Sequence, residues 1–395
     1  MQQKKLNVAV MADGWYPLVG GRDNGIHYLM MELYKHPEIE NLFLYVPGFE
    51  NYKEIDARMP YKVIRCKSVK LKHLIYKPII DKKSESLVRE QPIDVIHCHT
   101  EFTVLNFARK LAKERGIPLV LTAHQNYKEE VLNDCWHIKP LANIIIKGIL
   151  KNIVKCDTLT VVTHAQRERV KGWGITRRID VAPNGTALTY PEKPEERIAE
   201  ISAKYGFAPE DNVLFFVGRM AAMKNPDLLL DAAKILKDKG FSFKMVLAGK
   251  GGHLNHIQNR IINENLERNV IAPGFVSDED VFSLYLRADL FVFPSVSDAC
   301  GLVVLDASVL RTPSMVAEGE PASEGMVNGE NGFYLPLNAN IWAEKIIELF
   351  KDKNKLKQVG LKASQTLVYT WRDSADAYIK LYREAIEGLA KNTLS

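Results

Sequence analysis

The chain has 395 residues, of which 46% are hydrophobic and 26% charged, and its formal net charge is +5. That length is the size of two domains, and the composition is that of a soluble globular protein with apolar content for two cores. A helical membrane protein is excluded, because no apolar run reaches the ~18 residues that span a bilayer; a disulfide framework or zinc knuckle is unsupported, because the five cysteines (Cys66, Cys98, Cys135, Cys156 and Cys300) include no C-x-x-C pair.

The opening residues lead directly into a strand-like run, Leu6–Ala12, without a signal-peptide apolar core or cleavage site, so a cytoplasmic protein is expected. The segment after it, Ala12 to Arg22, does not space its glycines as G-x-G-x-x-G, which argues against a dinucleotide fingerprint and a dehydrogenase. Gly20-Gly21 instead precedes a helix-like run, Gly25–Lys35. Such a loop can present backbone N–H groups to a phosphate, although paired glycines before a helix are more often simple turns. Further strand-like runs follow at Leu42–Val46, Tyr61–Arg65, Asp94–His99, Ile117–His124, Thr158–Thr163 and Ile179–Ala182, with helical patterns such as Phe102–Arg115 between them. This alternation predicts an α/β fold with a parallel, doubly wound sheet.

His97-Cys98-His99 places both imidazoles on one face of a strand. Two ligands without a readable third favour packed or hydrogen-bonded histidines over a metal site, and Thr100-Glu101-Phe102 reads as a cap for the next helix. The apolar strand Ile117–His124 ends in a histidine at its carboxyl end, the functional edge of a parallel sheet. Residues 137–155 form a basic amphipathic helix pattern: Ile138, Leu141, Ile145, Ile149 and Ile153 share one face, and Lys147, Lys151 and Lys155 another. The pattern suits a surface helix on a core, and it also suits a membrane surface. A second basic stretch, 67–77, lies in the same half. Residues 1–190 carry 29 basic and 20 acidic side chains, the remainder 24 and 28, so the positive charge sits in the first half.

Pro183-Asn184-Gly185 opens a turn-rich linker that runs to Pro194. The architecture then repeats, with strands expected at Val213–Val217, Lys244–Ala248, Val270–Pro273, Asp289–Phe293, Ser314–Ala317 and Phe333–Leu335. Gly218-Arg219 and Lys224 follow the first of these. Two cations five residues apart in a strand-to-helix loop suit a diphosphate, one as a planar fork and one as a point charge. Gly249-Lys-Gly-Gly252 is a glycine-rich strand exit. Ser277-Asp-Glu-Asp280 has the letters of a metal-binding D-x-D but reads better as a helix N-cap with an acidic first turn. The chain is organised around Phe293–Pro313, where a strand, a Pro-Ser turn and a helix start carry Asp298 and Asp306 eight residues apart with Gly301 between them.

These motifs, in this order, resemble the GT-B retaining glycosyltransferases of family 4 (group 1), nearest among them the bacterial diacylglycerol glucosyltransferases. The family's pattern P-S-x-x-E-x-F-G-L-x-x-x-E-A is met with Asp298 and Asp306 at its two Glu positions, and Arg311-Thr312 replaces the Gly usual before the last Pro. Its T-x-H is met at His124, with Tyr127 continuing an H-x-x-Y run. Its P-N-G is met at Gly185, its G-R-x-x-x-x-K at Arg219 and Lys224, and the tail of the segment 318–332 resembles its E-x-V-x-x-G-x-N-G run. The resemblance implies two Rossmann-like domains, 1–190 on the acceptor side and 191–370 for the nucleotide sugar, with a cleft between them and a C-terminal helix, 371–395, crossing back. It implies donor binding by Gly20, Gly21, Gly218, Arg219, Lys224, Gly249, Asp298, Cys300, Gly301, Leu302 and Asp306. His124, Arg219, Lys224 and Asp298 form the implied catalytic set, with no metal ion and no cofactor beyond the nucleotide-sugar substrate. The implied reaction is retaining transfer of a hexose from UDP-glucose or a related UDP-hexose to a membrane glycolipid such as diacylglycerol. Residues 137–155 and 67–77 would contact the inner face of the membrane, and no nucleic acid takes part. A capsule or lipopolysaccharide transferase acting on a lipid-linked oligosaccharide is the alternative enzyme. A nucleotide-binding pseudoenzyme serving a partner subunit is the alternative of another class, because both Glu positions hold Asp.

Overall fold

The computed structural model describes residues 4–17, 20–70, 76–124, 131 and 139–394. The chain falls into two compact units, Met1–Gly185 with Tyr369–Ser395, and Thr186–Val368. The first boundary thus falls five residues before the expected 190/191.

The first unit is built on an eight-stranded sheet. Its strands are β1 (Leu6–Met11), β2 (Ile39–Pro47), β3 (Lys62–Lys70), β4 (Tyr76–Ile79), β5 (Val95–Cys98), β6 (Leu119–Ala123), β7 (Thr158–Val161) and β8 (Asp180–Val181). They lie in the order β4-β3-β2-β1-β5-β6-β7-β8, parallel throughout except for the antiparallel pair β3/β4. Every residue of β1, β5 and β6 is buried. Strands covered on both faces are what a parallel sheet with crossover helices requires, and they read as continuous apolar runs for that reason. The helix Gly21–Lys35 joins β1 to β2, and Thr103–Arg115 joins β5 to β6.

Two expectations change here. β3 runs on to Lys70 and pairs with β4, Lys67 opposite Ile79 and Lys70 opposite Tyr76. Part of the basic stretch 67–77 is therefore an edge of the sheet; residues 71–75 lie outside the described residues. In the helix Lys139–Ile153 the buried positions are Ala142, Ile146, Ile149 and Ile153, spaced i, i+4, i+7 and i+11. Ile149 and Ile153 thus face the core as expected, but Leu141 and Ile145 are exposed together with Ile144. The inward stripe is turned by one residue, so that Ala142 and Ile146 join the core of the first unit. His137 and Ile138 lie outside the described residues.

The last helix, Trp371–Leu394, belongs to the first unit. Trp371 stacks on Tyr28 with ring centroids 5.9 Å apart, and its backbone lies against Gly185, where a Cβ would fall on Trp371 N and the Thr370 carbonyl. Farther along, Tyr382 reaches His97 (2.7 Å) and Tyr378 reaches Thr122 (3.0 Å), so the helix is bonded into the sheet through buried polar groups.

The second unit holds six parallel strands: β9 (Val213–Val217), β10 (Lys244–Ala248), β11 (Val270–Gly274), β12 (Leu290–Phe293), β13 (Ser314–Ala317) and β14 (Phe333–Leu335). Their order is β11-β10-β9-β12-β13-β14. Phe215 of β9 sits opposite Phe291 of β12 in the ladder, and both rings pack on Tyr285, at 5.0 and 5.1 Å. This aromatic centre fixes the two strands whose carboxyl ends matter below.

Candidate functional site

In an open α/β sheet, loops part to either side where the strand order reverses, and ligands bind at the carboxyl ends there. The second unit reverses between β9 and β12, the first between β1 and β5. The candidate residues leave those strand ends.

In the second unit the two loops are laced together. Asn225 Nδ2 donates to the Pro294 carbonyl (3.0 Å) and Val296 N to the Met223 carbonyl (3.3 Å). This brings Lys224 Nζ to 2.7 Å from Asp298 Oδ2, an ion pair between residues 74 positions apart, and Ser295 Oγ donates to the same oxygen. Arg219, five residues before Lys224, is exposed, and among the described residues no carboxylate pairs with it. Its loop rests on the next strand exit: Gly218 N donates to Ala248 O (3.1 Å) and Met220 N to Lys250 O (2.9 Å). Gly249 has φ 139°, and a Cβ there would fall on the Gly218 carbonyl oxygen, so the contact requires glycine.

Half-buried Cys300, outside any disulfide, leads into Gly301. Gly301 has φ 64°, and a Cβ would stand 2.9 Å from Ala322 Cβ. It is the N-cap of the helix Leu302–Val309, and having no side chain it caps none of that helix's first N–H groups; among the described residues no other side chain takes them. Asp306 lies one turn further in. Its Oδ1 accepts the Thr186 hydroxyl (2.8 Å), and burial pushes its carboxyl up to about 6 despite that bond. The structure therefore brings Gly218, Arg219, Lys224, Gly249, Asp298, Gly301 and Leu302 to one edge, while Asp306 is engaged deeper by Thr186. Arg311 takes a left-handed conformation, φ 60°, which explains the glycine usual at that motif position; its guanidinium lies 3.8 Å over the Tyr190 ring. Ser277 is a helix N-cap, its Oγ accepting from Asp280 N (3.2 Å).

In the first unit His99, Thr100 and Glu101 follow β5, and His124 follows β6. His99 Nδ1 and His124 Nε2 are 2.7 Å apart with the rings stacked, and the His97 ring lies 4.0 Å from that of His99. Burial pushes His97 and His99 well below the usual imidazole range; burial, with the nearby Arg22 charge, pushes His124 down to about 3. All three rings are neutral at neutral pH. His99 Nε2 is buried, and among the described residues nothing hydrogen-bonds it. A bare acceptor nitrogen is less costly there than a bare N–H, so the proton sits on His99 Nδ1 and is donated to His124 Nε2. That fixes His124 with its proton on Nδ1, a neutral donor at the end of β6.

Arg22, in the first turn after Gly20-Gly21, was not singled out by the sequence. It is largely buried; burial lowers its pKa, yet Asp23, Glu101 and Asp13 together hold it raised. The helix begins at Gly21 rather than Gly25, and a Cβ at Gly21 would meet nothing within 4 Å, so that glycine is not sterically required. The helix Thr103–Arg115 is capped differently from the expectation. Its N-cap residue Phe102 makes no side-chain bond; Asp13, from the end of β1, accepts from Val104 N (3.2 Å) and from the Thr100 hydroxyl. Gln125, Asn126 and Tyr127 lie outside the described residues. The signals for the missed groups are present but weak: Arg22 follows the glycine pair directly, and His99 is the last residue of its strand-like run.

A family model described as Glycosyltransferase Family 4 matches residues 40–190, and one described as Glycosyl transferases group 1 matches residues 197–366. The alpha-monoglucosyldiacylglycerol synthase of Streptococcus pneumoniae is 25% identical over 335 residues, 82% of this chain and 73% of that protein. The D-inositol 3-phosphate glycosyltransferase of Nocardia farcinica is 29% identical over 308 residues, 74% of this chain and 67% of that protein. Among solved structures, Anabaena Alr3699/HepE in complex with UDP-glucose matches with a TM-score of 0.77 at 17% identity, covering 95% of this chain and 99% of that one. At that identity the match shows a shared fold.

Proposed function

Because the chain belongs to the group 1 and family 4 glycosyltransferases and has their GT-B fold, we propose that it is a retaining hexosyltransferase using UDP-glucose or a related UDP-hexose, with a membrane glycolipid such as diacylglycerol as acceptor. The observation that carries the donor half of this reading is the lacing of the Lys224 and Asp298 loops at the reversal point of the second sheet, with Arg219 exposed in the same loop as Lys224.

The hard step is departure of the diphosphate. As the bond from the sugar C1 to the β-phosphate oxygen breaks, negative charge grows on that phosphate. Arg219, Lys224 and the helix start at Gly301 and Leu302 are positive groups that would stabilise it, and a fixed donor of the kind Lys224 offers is worth ~3–4 kcal/mol in a transition state. Asp298 holds Lys224 in place until the phosphate arrives. Charge is routed to these side chains, so the proposed reaction calls on no metal ion. Gly218 and Gly249 let the backbone approach the nucleotide, and Cys300 lines the sugar side. Asp306 would take the ribose hydroxyls by exchanging its bond to Thr186. In the first unit, His124 would donate from Nδ1 to a sugar hydroxyl, and the helix start at Gly20-Gly21 would face phosphate. For retention, the acceptor oxygen attacks C1 on the face the phosphate leaves, and its proton passes to the departing phosphate oxygen.

The membrane acceptor is supported by the helix Lys139–Ile153. Leu141, Ile144 and Ile145 are exposed, Ile144 to 70%, beside exposed Lys139, Lys147 and Lys151. An outward apolar stripe flanked by lysines suits an anionic bilayer surface. The S. pneumoniae relative carries a diacylglycerol-based name. No helix among the described residues is long and apolar enough to cross a membrane.

The test is a thermal-shift panel with UDP, GDP and ADP, followed by transfer from UDP-glucose to diacylglycerol in vesicles. Ligand at about 100 times its dissociation constant stabilises by ~2.7 kcal/mol, a readable shift. A UDP-selective shift with glycolipid product supports the reading. A shift with transfer only to a lipid-linked oligosaccharide replaces the acceptor. A shift with neither transfer nor donor hydrolysis replaces the enzyme with a nucleotide-binding partner subunit, and no shift removes the donor site.

A further inference from the structure

The two helices that follow the donor loops meet at a cluster that the proposed reaction does not use. Asp227 is the second residue of the helix Pro226–Asp238, three positions after Lys224. His253 is the N-cap of the helix Leu254–Asn263, and His256 lies in its first turn. Their side chains converge: His253 Nε2 is 2.6 Å from Asp227 Oδ2, and His256 Nε2 is 2.8 Å from Asp227 Oδ1. The ligand-type atoms of the three residues all lie within 4.8 Å of one another. We propose that Asp227, His253 and His256 form a binding site for a borderline transition-metal ion, with Zn²⁺ the natural occupant.

Two imidazoles and one carboxylate are the donor set that such ions take, with water completing four-coordination. Bonds of ~2.0–2.2 Å to nitrogen and oxygen place neighbouring ligand atoms roughly 3.3 Å apart in a tetrahedron. The present N–O separations of 2.6 and 2.8 Å need to open by about half an ångström, which rotation of the exposed His256 ring and the half-buried His253 ring provides. Without metal, each Nε2 proton points at the carboxylate. On binding, each neutral ring carries its proton on Nδ1 instead, and the Nε2 lone pair turns to the ion.

The charge favours a cation. Arg260 is held among three carboxylates, Asp227 at 2.9 Å, Asp231 at 2.5 Å and Glu264 at 2.7 Å, so two negative charges remain uncompensated. Two helix N-termini oppose with about half a charge each, which leaves the cluster negative. Arg260 also restrains the Asp227 carboxylate from behind, the place of an outer-shell partner.

Occupancy would cross-link two loops. His253 N donates to Met220 O (3.0 Å), beside Arg219, while Asp227 follows Lys224. The site shares no residue with the diphosphate clamp, and its existence does not rest on the proposed transfer reaction.

The experiment uses untagged, chelator-treated full chain, titrated with Zn²⁺ alone by calorimetry and with Co²⁺ alone by visible absorption. The expected result is one saturable equivalent and a d–d band of four-coordinate intensity. His256→Gln and His253→Gln should each weaken binding by more than the about 10–100-fold that outer partners cost, and should leave the metal-free melting curve in place. His164→Gln, at an exposed histidine elsewhere, should change neither. If His253→Gln fails to fold, exposed His256 alone decides the matter. Absence of a saturable equivalent, or one that survives His256→Gln, overturns the proposal.

Discussion

At the carboxyl edge of the first sheet three imidazoles pack ring against ring and are held neutral; at the edge of the second, a lysine, an arginine and an aspartate stand in half-open loops. Burial sets the first group, since His97, His99 and His124 all lie well below the ordinary imidazole range. The second group is set by loop lacing, since Asn225 and Val296 bond across to the neighbouring loop and leave Arg219 exposed. Neutral, tightly bonded groups orient a substrate at little electrostatic cost. Exposed, fixed charges neutralise one. The two edges therefore predict different responses to mutation, and each can be used to test the other.

The largest effect should follow from breaking the charged edge. Lys224→Ala removes the cation nearest Asp298 and should lower kcat by about 10²–10³, the loss typical of a fixed transition-state donor. The melting temperature should barely move, because Ser295 still bonds Asp298 and the loop is laced through Asn225 and the Val296 backbone. Turnover near that of the wild type would remove Lys224 from the clamp.

Asp306 sharpens the comparison, because it is the buried group of the charged edge. Its folded pKa of about 6 lies above the usual ~3.9 of an unfolded aspartate. Between pH 4 and 6 the folded state holds the proton that the unfolded state has lost, so stability falls as pH rises through that window, by about 2–3 kcal/mol in all. Asp306→Asn should flatten the slope of a denaturant-midpoint series across pH 4–7. UDP affinity should run the other way and rise through pH 6, because ribose hydroxyls need the carboxylate as acceptor. A midpoint series of equal slope in both proteins would show that Asp306 is not the buried acid it is drawn as.

The charged edge was readable in the sequence because its parts are local. Gly218-Arg219 and Lys224 sit within seven residues after an apolar strand, and Asp298 and Gly301 within four of each other, so strand-to-helix patterning was enough to place them. The neutral edge was not readable, because its meaning lies in partners far along the chain. His97 and Tyr382 are 285 positions apart, and His99 and His124 are 25 apart across a helix. Alternation put His97 and His99 on one face, but only the register of β5 against β6 and the return of the last helix assign one to the interior and the other to the edge. The helix Lys139–Ile153 missed in a different way. Its apolar residues cover too much of the surface for a helical wheel to choose between Leu141/Ile145 and Ala142/Ile146, and the neighbour beneath made the choice. Strand boundaries in the second half agree to within a residue because each strand is a short apolar run closed by Gly, Pro or Glu.

His99→Phe addresses the neutral edge at similar volume. It removes the Nδ1–H that fixes the His124 tautomer, and kcat should fall about 10-fold, the loss of one oriented hydrogen bond of roughly 1.4 kcal/mol. The KM for donor should hold, and the ¹⁵N shifts of His124 should lose the Nδ1–H tautomer signature. A purely structural role would leave those shifts unchanged.

The smallest effect belongs to Tyr382→Phe, and it separates the two histidines of β5. The protons of the buried network can be followed. Thr160 Oγ donates to Leu121 O (3.2 Å), so it must accept from Thr122 Oγ (2.6 Å). Thr122 has then spent its one proton and accepts from His97 Nε2 (2.7 Å) and from Tyr378 (3.0 Å). His97 therefore carries its proton on Nε2, and Nδ1 accepts from the Tyr382 hydroxyl (2.7 Å). Removing that hydroxyl leaves a buried acceptor bare, which should cost about 1 kcal/mol and lower the melting temperature by roughly 2–4 °C in a unit of this size. The ring itself stays packed, and kcat should not change, because nothing in this chain of bonds passes through His99 to His124. If Tyr382→Phe lowered kcat as far as His99→Phe does, the division between an interior histidine that pins the last helix and an edge histidine that sets a tautomer would fail, and the three rings would have to be treated as one unit.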